Sequence, residues 1–329
     1  MPRKILVTGS AGHLGEALMR SFAQRDQPAV GMDIAASAFT NVVGSITDRA
    51  CLRECLRGVD AVIHTASLHK PHLATHSADD FVQTNVSGTL AVLEEAVAAN
   101  VRVVIFTSTT SAFGAALVPR AADPATWITE NTVPVPKNMY GVTKIAAENV
   151  CELFHRQRDL AVIVLRTSRF FPEPDDDPAK RAAFKLGNAQ ANELLHRRVD
   201  VQDVVDAHML AIDNAARLGL GRFIISATTP FQRADAPALR TDAAGVVRRL
   251  FPDAERLYAN AGWRLPESID RVYDNALARG ELGWAPRYDF AHALDCLRQG
   301  RDHRSPLAVA IGSKGYHGDA YQGGAYPVA

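Results

Sequence analysis

Tyr140 and Lys144 stand four residues apart in Tyr-Gly-Val-Thr-Lys, within a helical pattern, so both side chains leave one face. A phenol titrates near 10, too high for a base in neutral water. An ammonium beside it stabilises the phenolate and lowers that value. Such a pair can take the proton of an alcohol or return one to a carbonyl, which contributes roughly 10²–10⁴ in rate. The spacing alone is common on amphipathic helices and gains meaning only with a second constellation. That constellation is Ile5-Leu-Val-Thr-Gly9-Ser-Ala-Gly12-His-Leu-Gly15. Gly9 permits a tight turn, Gly12 lets backbone approach a pyrophosphate, and Gly15 lets a helix pack against its strand. Ala11, His13 and Leu14 then offer main-chain groups to the phosphates at the positive end of that helix. Asp33 follows Gly15 by eighteen residues. Its carboxylate suits a ribose 2′-hydroxyl and repels a 2′-phosphate. No Lys or Arg lies between Ile34 and Asp48 to neutralise such a phosphate, so NAD is favoured over NADP. The positive oxidised nicotinamide would add to the pull of Lys144 on Tyr140, and the chemistry implied is hydride transfer at a carbinol carbon.

The elements that must position these groups alternate. Residues 4–8, 28–33, 61–64, 101–108 and 161–165 read as buried parallel strands, apolar on both faces. Residues 13–24, 48–57, 79–99 and 138–158 carry helical patterns between them. The alternation predicts an α/β fold, a Rossmann-type doubly wound parallel sheet. Beyond Arg166 the rhythm breaks at Pro172-Glu-Pro-Asp-Asp-Asp-Pro178, read as a surface turn. A helix over 204–216 and a strand over 222–226 return to the sheet. The expected division is an NAD-binding domain over 1–166 with 196–227 returning to it. A smaller, interleaved substrate lobe then takes 167–195 and 228–311, and a Gly/Tyr-rich tail takes 312–329.

Taken in order, these motifs resemble the extended short-chain dehydrogenase/reductase family, in its NAD-dependent epimerase/dehydratase branch. Besides the glycine string and Tyr-x-x-x-Lys, the resemblance rests on His64-Thr-Ala-Ser67, Asn85-Val-Ser-Gly-Thr89, Thr107-Ser-Thr-Thr-Ser-Ala-Phe-Gly114, Arg198-Val-Asp-Val-Gln-Asp-Val-Val-Asp206 and Arg271-Val-Tyr-Asp-Asn275. It runs from about residue 4 to residue 297. It implies a third catalytic hydroxyl five residues before Gly114, which falls on Thr109, with Ser108 and Thr110 as alternatives. Strand alternation puts Thr107 and Thr109 on one face and Ser108 on the other. The resemblance also implies that Thr65, Ala66, Ser67 and Thr107 line the cofactor edge, that Asn85 steadies the adjoining strand and that Ser168 lies near the nicotinamide. Ser45 replaces an aspartate that relatives direct at the adenine, leaving a weaker hydroxyl there and backbone contact from Ile46. Thr110-Ser111 stand where dehydratases carry an acid pair, which argues against sugar dehydration. Relatives that take nucleotide sugars hold the base in a long clamp after an asparagine; here Asn192 is followed almost at once by Arg197-Arg198. The expected substrate is therefore small: a free sugar, a sugar acid or another hydroxy or keto compound. Lys70, Ser111, Arg169 and Asn192 are its candidate contacts.

Composition sets outer bounds. Lys plus Arg and Asp plus Glu each number 36, so no global field draws nucleic acid or an anionic membrane. No apolar run is long enough for a bilayer span or a signal peptide, and the four cysteines are too scattered for a disulfide scaffold, so a cytoplasmic protein is expected. Cys51 and Cys55 read as small buried thiols. His69, His72 and His76 lie around Pro71, which breaks any shared helix face, so no metal site is expected there; contact with substrate by Lys70 or one of these histidines stands against a solvated loop. The resemblance implies a homodimer through the helices of 79–99 and 138–158. Two other readings stay open: an epimerase that oxidises and re-reduces one carbon on tightly bound NAD, and a non-catalytic NAD sensor, which the Tyr140/Lys144 pair argues against.

Overall fold

The computed structural model describes residues 3–174 and 178–314. The middle of the Pro172–Pro178 turn and most of the Gly/Tyr-rich tail lie outside the described residues. Seven strands form one sheet: β1 (Ile5–Thr8), β2 (Ala29–Asp33), β3 (Val42–Val43), β4 (Ala61–His64), β5 (Val103–Thr109), β7 (Ala161–Thr167) and β8 (Leu220–Ile225). Their order is β3-β2-β1-β4-β5-β7-β8, and every pairing is parallel. The chain winds outward from β1 to β3, crosses back to β4 and winds the other way. The β1/β4 crevice is thus the switch point, with Thr8 opposite His64 at its mouth.

Alternate strand residues feed two cores, as a side-chain period of 2 requires. Ile5, Val7, Ile63, Ile105 and Ile163 pack against α1 (His13–Gln24) and α8 (Val201–Leu218). Leu6, Val62, Val104 and Val162 pack on the opposite face, against α2 (Arg49–Cys55), α4 (Gly88–Ala98) and α5 (Met139–Arg158). The sequence reads 79–99 as one helix; the structure divides it. The short α3 (Ala78–Phe81) passes through a π-helical segment, Val82–Ser87, before α4 begins. The wider turn carries Asn85, which is 1% exposed.

Three strands escape the sequence reading. β3 is two residues long, and β6 (Thr126–Ile128) pairs in parallel with β9 (Arg271–Tyr273) in a separate small sheet. Val272 of that sheet joins a third core with α7 (Leu186–Leu194), α9 (Ala236–Thr241), α10 (Ala243–Leu250), α11 (Ala254–Asn260) and α13 (Phe290–Arg298). The remaining helices are α6 (Pro178–Ala183), α12 (Ala276–Leu282) and α14 (Pro306–Ile311), of which α12 and α14 cover the α1/α8 side.

Candidate active site

The glycine string forms a cradle where β1 becomes α1. Gly9 has φ +77°, and a Cβ there would lie 2.7 Å from both Ala66 N and Thr65 Oγ1. A Cβ on Gly15 would collide with the Gly9 carbonyl. Both positions therefore require glycine, one for its backbone angle and one for close packing. Gly9 N and Ser10 N both donate to Met32 O, at 2.8 and 3.2 Å, which folds the loop over β2. No side chain caps α1, so its first N–H groups face the cradle. Asp33 meets the same loop: its carboxylate accepts from Ala11 N and Ala35 N, each at 2.9 Å.

The acid–base groups gather beside it, at the end of β5. Tyr140, Lys144 and Glu148 lie on successive turns of α5, all buried. The Thr109 hydroxyl is a polar neighbour of the Tyr140 phenol and favours its phenolate. Thr109 Oγ1 accepts from Ser111 N at 3.1 Å. Burial pushes the Tyr140 phenol up to about 12, against the downward pull of the Thr109 hydroxyl. Lys144 Nζ donates to Thr107 O at 2.6 Å and lies 4.1 Å from the centre of the Phe106 ring. Burial brings Lys144 down to about 8, with the Glu148 carboxylate pulling upward. The sequence reading gave Lys144 the task of lowering the phenol; in the structure burial outweighs any such pull.

Two buried histidines that the sequence reading gave no role hold the strand ends. His64 Nδ1 lies 2.7 Å from Thr8 Oγ1 and its Nε2 3.0 Å from Thr89 Oγ1, whose hydroxyl donates to Asn85 O at 2.7 Å. Nε2 must therefore carry the proton and Nδ1 accept one. Burial lowers His64 to about 3, so the neutral ring ties β1 to β4 across the switch point. Across β5, His208 Nδ1 lies 2.8 Å from Val204 O, leaving Nε2 to accept the Thr107 hydroxyl at 2.8 Å. Burial lowers this ring to about 4. Asn85 braces the loop after β4, accepting from Leu68 N at 2.8 Å and donating to Leu68 O at 3.0 Å and Thr143 Oγ1 at 3.1 Å.

The family model described as NAD dependent epimerase/dehydratase matches residues 5–225. The chain belongs to that family. It is thus an NAD-dependent enzyme of the short-chain dehydrogenase/reductase type. Its relatives include a UDP-glucose 4-epimerase of Azospirillum brasilense, 25% identical over 96% of each chain. An NAD-dependent glucose-6-phosphate dehydrogenase of Haloferax volcanii is 28% identical over 50% of this chain and 68% of that one. Among solved structures, a short-chain dehydrogenase/reductase superfamily protein from Agrobacterium tumefaciens with bound NAD superposes with a TM-score of 0.65. It is 24% identical, over 94% of this chain and 99% of that one.

The side chains of this family member fit NAD on the structure's own terms. The cradle accepts no Cβ at Gly9 or Gly15, and two buried polar atoms, His13 Nδ1 and Ser168 Oγ, have no hydrogen-bond partner among the described residues. Rings line the path from cradle to phenol. His13 lies 5.7 Å from Phe171, Phe171 lies 5.9 Å from His69, and His69 lies 6.2 Å from Tyr140. Thr65 Oγ1 donates to Thr8 O at 2.7 Å, Ala66 N reaches Thr8 Oγ1 at 3.4 Å, and Ser67 follows half-buried. Ser45 pairs with Thr47 Oγ1 at 2.8 Å, and Ile46 is buried against Gly88.

The expected substrate contacts are more scattered. Lys70 opens a 3-10 turn, Lys70–Ala74, and Ser111 is exposed beside Thr109. Arg169 donates to the carbonyls of Glu173, at 2.9 Å, and Pro174, at 2.6 Å. Asn192 donates to Arg264 O at 3.1 Å while its Oδ1, buried, has no partner among the described residues. Glu148, Arg166, His64 and His208 are the residues around the site to which sequence reasoning gave no role; His69, weighed there as a substrate contact, lies 6.2 Å from Tyr140. The signal for Glu148 was its place four residues beyond Lys144; that for His64 was its place at a strand end opposite the glycine string.

Proposed function

We propose that this enzyme is an NAD-dependent oxidoreductase acting at a carbinol or carbonyl carbon of a small hydroxylated substrate: a sugar, a sugar acid or a hydroxy or keto compound. The observation carrying the reading is the meeting of the Tyr140 phenol and the Thr109 hydroxyl beside the glycine cradle. Bound NAD supplies the hydride acceptor or donor. Tyr140 takes or returns the substrate's hydroxyl proton, Thr109 holds the reacting oxygen, and Lys144 favours the phenolate. Gly9, Ala11, Gly12, His13, Leu14 and Gly15 would hold the pyrophosphate, Asp33 the adenosine ribose, Ser45 and Ile46 the adenine, and Ser168 the nicotinamide. Thr65, Ala66, Ser67 and Thr107 would form the adjoining edge, with Asn85 bracing it. The rings of His69 and Phe171 would exclude water, which strengthens each charge–dipole interaction at the site.

Small substrates are favoured by the link between α7 and α8. Only Leu195 to Asp200 separate the two helices, which leaves no length for a segment that clamps a nucleotide base. The substrate lobe would comprise 167–195 and 228–311. The kinship with UDP-glucose 4-epimerases supports a second reading, oxidation and re-reduction of one carbon with no net NADH. Spectrophotometric screening of NAD reduction over sugars, sugar acids and hydroxy acids separates the two. Net NADH from a free sugar or hydroxy acid supports the first reading; turnover confined to a nucleotide sugar without NADH replaces it with the second. Exposed Val82, Val142 and Leu153 near and on α4 and α5 favour a homodimer through those helices, which light scattering on the eluting protein would test. We place the enzyme in the cytoplasm; no described helix is long and apolar enough to cross a membrane.

A further inference from the structure

We propose that Glu148 is a positioning residue for the catalytic pair, fixing the end of β5 through Ser108 and holding Lys144 as the ammonium through its charge. This rests on the reading of Tyr140 and Lys144 as the acid–base pair. Glu148 follows Tyr140 and Lys144 at the next i+4 step of α5, where neighbouring side chains are about 5–6 Å apart at Cβ. Its carboxylate is 1% exposed and accepts the Ser108 hydroxyl at 2.6 Å. Ser108 sits between the two residues that meet the pair: the Thr107 carbonyl takes Lys144 Nζ, and the Thr109 hydroxyl acts on the Tyr140 phenol. Because alternate residues face opposite ways, Thr107 is held by His208 on one face of β5 while Ser108 is held by Glu148 on the other. Freeing Ser108 would let both flanking groups lose their aim.

The charge argument adds to that geometry. The titratable groups facing Lys144 come from three places. From α5 they are Tyr140, Glu148 and Cys151; from β4, His64; from the loop beyond it, His69. Burial pushes Tyr140 and Cys151 each up to about 12, and pushes His64 and His69 down, so these four are neutral near pH 7. Glu148 is then the carboxylate acting on Lys144 among the described residues. Two guanidiniums compete for it from behind. Arg166 binds it in two-pronged fashion, at 3.0 and 2.7 Å, and Arg222 Nε lies 3.2 Å away while also reaching Glu152. The carboxylate thus raises Lys144, and the guanidiniums limit how far.

The test reads Lys144 directly. The chain has seven lysines, few enough to follow the full-length protein by NMR with lysine labelled at Cε, with and without NAD; Lys144→Met assigns the resonance. Glu148→Gln should lower the Lys144 midpoint by about one pH unit or more, and Glu148→Asp should restore part of it. Arg222→Gln, at a partly exposed position, should raise it by less. A folded Glu148→Gln protein with an unmoved Lys144 midpoint overturns the proposal. If that variant does not fold, Arg222→Gln decides: an upward move supports the proposal and no move overturns it. No substrate enters this measurement, so a failed search for turnover counts against the hydride-transfer reading and leaves this one intact.

Discussion

The cradle at the end of β1 and the proposed acid–base site at the end of β5 lie two strands apart in one sheet, and they are built from different materials. At the cradle the groups are backbone amides, hydroxyls and the neutral His64 imidazole, with the Asp33 carboxylate at the rim, and what is selected is the absence of side chain at Gly9 and Gly15. At β5 the support is ionic: Glu148 and Arg166 are 1% and 2% exposed and bonded through both carboxylate oxygens. The difference follows from the task. A pyrophosphate brings its own charge and needs donors that cost little to desolvate, whereas a phenol must be given an electrostatic environment by the protein.

Three substitutions sharpen the contrast, each striking one region. Tyr140→Phe removes only an oxygen and should reduce turnover by roughly 10²–10⁴-fold while NAD affinity, measured by calorimetry, stays within a small factor of wild type. Equal turnover by this variant would take Tyr140 out of the mechanism. Arg166→Met should cost about 3–5 kcal/mol in urea unfolding, because it leaves a buried carboxylate short of its main partner. A loss below 1 kcal/mol would mean that Arg222 and Ser108 suffice. Asp33→Asn keeps the shape of the cradle's rim but removes its charge. NAD affinity should fall by roughly 10–100-fold, the worth of charge-assisted hydrogen bonds of about 1.5–3 kcal/mol, and discrimination against NADP should shrink with it. Calorimetry with both dinucleotides checks this.

The same contrast explains what the sequence disclosed. The cradle was legible because its requirement is local: three glycines, a strand before, a helix after and Asp33 beyond all lie within residues 5–33. Tyr140 and Lys144 were legible by their spacing on one helix. The ionic support was not, because Ser108, Glu148 and Arg166 come from three elements, and sequence separation conceals a contact of 2.6 Å. The π-helical segment at Val82–Ser87 escaped for another reason: its residues keep a helical pattern, and the Asn85 bond to Leu68 joins segments that the sequence does not pair. β6 and β9 were missed because each is three residues long and their partners lie more than a hundred residues apart. The proposed substrate contacts stay the least legible, since Arg169 and Asn192 bond main-chain carbonyls that no motif marks.

The mildest test bears on the neutral imidazoles, which both regions share. His64 is lowered to about 3 and His208 to about 4, in each case by burial, from an ordinary value of 6.5. The unfolded chain therefore binds protons at these positions between pH 6.5 and about 4 while the folded chain does not, and stability must fall as pH drops through that window. Each ring contributes a slope approaching 1.4 kcal/mol per pH unit. His208→Gln, which keeps a side chain able to meet Thr107, should remove one such increment, so that its urea-unfolding free energy declines less steeply than wild type from pH 6.5 to 4.5. Parallel slopes would show that the His208 ring is protonated in the fold, and the neutral acceptor assigned to Thr107 would then be wrong. Turnover should respond less than stability, since His208 reaches the phenol only through Thr107 and the β5 backbone.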